Sequence, residues 1–128
     1  MAPDFGRESR AAVYRLDPDA YCERRLDLYQ GALYQLRALV LDRWDGEVQD
    51  DMLATLDLVE RAACDPAIPD TRLPVREVKM VLDTTGKFGG MSEGFFRRKV
   101  ANRVAKDWNI LHERTVKAIE KYSAPDAP

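Results

Sequence analysis

The sequence is poor in the residues that most catalytic and metal sites need. Of its 128 residues one is histidine, His112, and two are cysteines, Cys22 and Cys64. One imidazole and two distant thiols make a poor structural zinc set, which needs four close ligands. The string from His112 to Val116 begins like a zincin motif but lacks the second histidine one turn later. The two cysteines lie among apolar helical residues with no C-x-x-C spacing, so the expectation is two free, buried thiols in a reduced, cytoplasmic protein. Long apolar runs are also missing. No stretch of about 18 apolar residues is present, so no membrane span is expected, and the N-terminus carries no apolar signal segment. Alternation of apolar and polar residues is absent over five or more positions, which leaves little support for strands.

What is present is helical periodicity. Asp17-Pro18 is a helix start, with Asp as cap and Pro in the first turn. From there Leu26, Leu33, Leu36, Val40 and Trp44 follow one face, and Gly46 is the expected stop. Val48, Met52, Leu56 and Val59 continue the pattern towards Cys64, and the segment from Asp65 to Asp70 reads as a loop. Pro74 opens a third helix carrying Val75, Val78 and Leu82, and the glycine segment from Gly86 to Gly90 is expected to end it. Ser92 caps a last helix whose stripe runs Phe96, Val100, Val104, Trp108, Leu111, Ile119 and Tyr122. Residues 7–15 add a short N-terminal helix.

The fold expected is therefore all-α: a single domain over residues 1–128, built as an elongated bundle of four to five helices. Two helices are long, at about 18–45 and 92–122, and residues 1–6 and 123–128 are frayed tails. The chain buries roughly two-thirds of its unfolded surface, enough to fold without a disulfide or metal. Helices of about 42 and 46 Å exceed the roughly 36 Å diameter of a compact chain this long. Either the bundle is elongated or the long helices break, with Gly31 and Lys106-Asp107 as the weakest points. Trp108 and Leu111 are expected in the core and Trp44 at least half-buried.

Charge is divided between the halves. Residues 1–70 carry a net charge of −7 and residues 71–128 a net of +5, within an overall −2. The basic excess concentrates in Lys87, Arg97, Arg98, Lys99, Arg103 and Lys106, opposed by Glu93. On a regular helix Lys99, Arg103 and Lys106 form one stripe, which could neutralise phosphates; pairing with the acidic half is the alternative. The acidic corner of Asp42, Asp45, Glu47, Asp50 and Asp51 lacks EF-hand spacing and reads as a solvated helix corner.

Phosphate-loop chemistry is excluded around Gly86-Lys87. Position 81 is Val where a Walker loop needs Gly, and position 88 is Phe where it needs Ser or Thr. The segment Gly90-Met91-Ser92-Glu93-Gly94-Phe95-Phe96-Arg97-Arg98-Lys99-Val100 resembles the turn and recognition helix of bacterial helix-turn-helix regulators. That resemblance implies DNA binding by this helix, and it departs from the pattern where Gly86 and Gly89 interrupt the preceding helix. No Ser-His or Cys-His set emerges, and acid pairs such as Glu23 with Asp27 read as surface charge. The first functional expectation is a non-enzymatic interaction or assembly protein, an accessory subunit or a homo-oligomer, needing no cofactor. The second is nucleic-acid binding through the basic stripe; an enzyme, third, has no catalytic set to name.

Overall fold

A computed structural model describes residues 6–88 and 92–106, the side chains of 7, 8 and 86–88 excepted. Among the described residues every regular element is helical. The order is α1 (Arg7–Leu16), α2 (Pro18–Leu26), a 3₁₀ turn (Asp27–Tyr29), α3 (Ala32–Arg43) and α4 (Gly46–Ala63), then a second 3₁₀ turn (Asp70–Arg72) and α5 (Val75–Phe88). The last described segment is α6 (Glu93–Phe96), a π-helical turn (Arg97–Ala101) and α7 (Asn102–Ala105).

Local chemistry explains the starts. Asp17 accepts a hydrogen bond from the Ala20 amide at 3.1 Å, with Pro18 at the first helical position. Ser92 accepts from the Phe95 amide at 3.0 Å. The four helices that build the core meet along the expected stripes of α3, α4 and the last segment: Leu36 and Val40, then Met52, Leu56 and Val59, then Phe96 and Val100 are all at or near zero exposure, and α5 adds Val78 and Val81. Trp44 is partly buried against this core, in line with expectation.

Several expectations are corrected. The long helix over 18–45 does not form. Gln30 and Gly31 both take positive φ, 51° and 80°, so the chain turns between α2 and α3; Gly31 bears this without cost, having no Cβ. The break lets two short helices fold against one core where a rod of about 42 Å could not. Among the described residues the helices are more numerous and shorter than the four to five expected; of the expected helix over 92–122, residues 93–105 are helical throughout, and residues 107–122 lie outside the described ones. Trp108 and Leu111 lie outside them.

Gly46 does not close α3; it opens α4, with φ 61°. Gly86 does not stop α5, which continues to Phe88. On α5 the buried line is Val78, Val81 and Thr85, and Leu82 is only partly buried. The Thr85 hydroxyl donates to the Val81 carbonyl at 2.9 Å, which makes burial of a polar residue acceptable there. Val48, expected in the core stripe, stays 38% exposed in the first turn of α4.

The cysteines are also not free. Cys22 in α2 and Cys64 at the end of α4 form a disulfide, their Cα atoms 4.5 Å apart across 42 residues of sequence. The cytoplasmic expectation rested on free thiols, and the pairing removes its basis. Beside the disulfide, Arg25 is 4% exposed. Its guanidinium donates to the Ile68 carbonyl at 2.6 Å, to the Asp65 carbonyl at 3.4 Å and to the Tyr21 hydroxyl. Its Nε stands 3.2 Å from Asp70 Oδ1, a charge contact without hydrogen-bond alignment. The loop after α4 is therefore held to α2 twice, covalently and through one buried cation, with Ile68 and Leu73 sealed beneath it.

Candidate functional site: the α3–α5 groove and the basic helix

The basic residues do not converge as expected. Phe96, Val100 and Val104 recur every four residues and all point inward. In a regular α-helix such a repeat drifts about 40° round the axis per step; the wider π turn takes up part of that drift and keeps the three in line. The outward line is then Arg98, Asn102 and Lys106, of which Arg98 and Lys106 are exposed. Arg97 is held by Glu93 at 2.6 Å. Arg103 is only partly exposed and donates to the Thr71 carbonyl at 3.2 Å, so its charge serves to dock the 70–72 turn. Arg98 stacks its guanidinium 6.0 Å from the centre of the Phe95 ring. Lys99 is partly buried, and Lys87 has its backbone on α5 with its side chain outside the described residues. Of the six candidates, two are engaged inside the protein, and these two do not form one free stripe with the others.

The structure presents a different feature, which periodicity did not point to. An open groove of about 950 Å³ runs between α3 and α5. Ala32, Gln35 and Leu39 form the α3 wall and Met80, Leu82 and Thr85 the α5 wall. Arg43 stands at the C-terminal end of α3, and Arg76 and Lys79 line the α5 side. Lys79 donates to Gln30 Oε1 at 2.9 Å, joining α5 to the turn that precedes α3. Asp83 is the acid among the lining residues. The signal in the sequence was the polar and apolar mixture on the flank of α3, but a flank becomes a groove only when a second helix lies beside it.

At that end of the groove sits Tyr29, 1% exposed, its hydroxyl without a hydrogen-bond partner among the described residues. Burial pushes the hydroxyl's pKa up, Arg25 pulls it down and Glu77 adds to the rise, so it remains a neutral donor. A buried unpaired hydroxyl costs about 1–3 kcal/mol of desolvation. Tyr29→Phe, which keeps the ring, should therefore leave stability unchanged or raise it by about 1 kcal/mol in urea denaturation. A clear loss would mean the hydroxyl has a partner.

A second feature is the outer face of α3. Tyr34 is 80% exposed and Leu41 54% exposed, and exposed Ala38 stands between them. Residues 34, 38 and 41 share one helical face, so α3 is apolar both towards the core and away from it. Arg37 beside them is spanned by Asp57 at 2.9 Å and Glu60 at 2.7 Å on α4, which fixes how this face is presented.

No group of three or more His, Cys, Asp or Glu side chains among the described residues is arranged to hold a metal ion, and no described helix is long and apolar enough to cross a membrane. Comparison with protein-family models, with curated proteins and with solved structures finds no match.

Proposed function

We propose that the protein is a non-enzymatic helical interaction protein, with α3 as its docking element. The observation that carries this reading is the doubly apolar character of α3. A helix with one buried face needs polar residues opposite, yet Tyr34, Ala38 and Leu41 occupy that side. A tyrosine 80% exposed on a helix pinned by Arg37 is the kind of rigid aromatic that anchors interfaces. The occupant of this face is a second copy of the chain or a larger partner.

Self-association is the first test. Light scattering after size exclusion at about 100 µM should give a mass above the 14.6 kDa monomer, and Tyr34→Ser with Leu41→Ser should return it towards the monomer. A wild type that is cleanly monomeric ends the homo-oligomer form of the reading.

Nucleic-acid binding is the second reading, and one observation favours it. α5 runs on to Phe88 and Ser92 caps the next helix, so the interruption at Gly86 does not occur. Arg98, Lys99 and Lys106 are the cations not tied to another residue by a hydrogen bond or ion pair within the described part of this helix. Three phosphate contacts would give a log–log salt slope near −2.7 on duplex DNA. Filter binding at 50 mM salt should retain duplex probe at about 10 µM protein, with that shallow slope; no retention of single- or double-stranded probes removes this reading.

A further inference from the structure

We propose that the α3–α5 groove is the docking site for an acidic amphipathic helix of a partner protein, an inference that rests on the interaction reading above and names its partner's chemistry. Three observations carry it. First, the groove is lined by two helices, whose backbone groups are spent on their own ladders. An extended peptide would find no sheet edge to pair with, so the occupant must satisfy its own backbone, as a helix does. Second, the walls are apolar where Leu39, Met80 and Leu82 face the groove, which suits the i, i+3, i+4, i+7 anchors of a docked helix.

Third, the cations stand at the groove's margins in a chain whose net charge is −2. Arg43 and Arg76 are both exposed. Lys79 sits where α3 begins, fixed by Gln30, and Arg43 where α3 ends. The 12 residues of α3 span about 18 Å. A helix lying along α3 meets both ends when its acidic residues flank an apolar face by about 12 residues. A basic helix would bring like charges against three cations, which selects against it.

The test uses a displayed library of 18-residue helical peptides with a fixed leucine face and flanking positions varied among acidic, basic and neutral residues. The 128-residue chain is the bait. Acidic flanks should be enriched about tenfold over basic ones, the sum expected of three charge pairs at the groove's margins. The variant Arg43→Gln, Arg76→Gln, Lys79→Gln should abolish that preference. A variant of equal charge change elsewhere, Arg15→Gln, Arg98→Gln, Lys106→Gln, should retain it, and circular dichroism checks that both keep their helix content.

Enrichment that ignores flank charge but is lost on Met80→Asp overturns the acidic partner while leaving groove docking standing. A preference retained by the groove variant also overturns the proposal, since it would then reflect overall charge. Absence of any enrichment overturns both the acidic partner and groove docking, while the outer face of α3 remains tested separately by light scattering.

Discussion

Reduction of the Cys22–Cys64 disulfide is expected to lower stability by about 4 kcal/mol. A cross-link spanning 42 residues removes loop-closure entropy from the unfolded chain, and the entropic relation gives that magnitude at 25 °C. With a urea dependence of about 2 kcal/mol/M for a chain of this size, the midpoint should fall by about 2 M on adding reductant. Reduction is the cleaner perturbation, because substituting either cysteine also removes sulfur that packs between α2 and the end of α4. An unchanged midpoint in reductant would show that the two thiols are not joined in solution.

The second large effect is expected at Arg25. Arg25→Met preserves much of the stem but leaves the Ile68 and Asp65 carbonyls without their donor and Asp70 without its counter-charge. Breaking a buried charge network by removing one member costs about 3–5 kcal/mol. The value should lie near the lower end here, because the Asp70 side chain is 44% exposed and regains water. Asp70→Asn should accordingly cost under about 1 kcal/mol, as a half-exposed pair does. Equal costs for the two substitutions would show that Arg25 acts through the Asp70 pair rather than through the loop carbonyls. Since Arg25 and the disulfide restrain the same loop, their effects should be non-additive: once the disulfide is reduced, the loop is more mobile and Arg25→Met should cost less.

These two contacts hold the loop between α4 and α5, whose sequence is rich in proline and aspartate, against α2. Val75, in the first turn of α5, packs against the same small cluster as Ile68 and Leu73, so the loop also holds the start of α5. A reduced protein would be expected to keep its helices and lose definition first at this end.

Two helix starts and most of the buried stripes are legible in local sequence alone. Asp17-Pro18 and Ser92 act within three or four residues of themselves, so their chemistry is readable without knowing what lies across the fold. The stripes Met52, Leu56, Val59 and Phe96, Val100, Val104 are legible for the same reason: a helical period maps directly onto one face. Gly31 reads as a weak point on the same local grounds.

Other features depend on residues far apart in sequence. Cys22 and Cys64 each resemble a small buried hydrophobe in their own helix, and only the approach of α2 to the end of α4 makes them a pair. Arg25 is one arginine among several in an exposed-looking helix until the 65–70 loop folds over it. The basic residues form one stripe only on an ideal helix. A π turn changed its register, Glu93 took Arg97, and the distant Thr71 carbonyl took Arg103. The groove has no sequence signature, because it is the space between α3 and α5, and helix spacing is fixed by packing rather than by either helix alone.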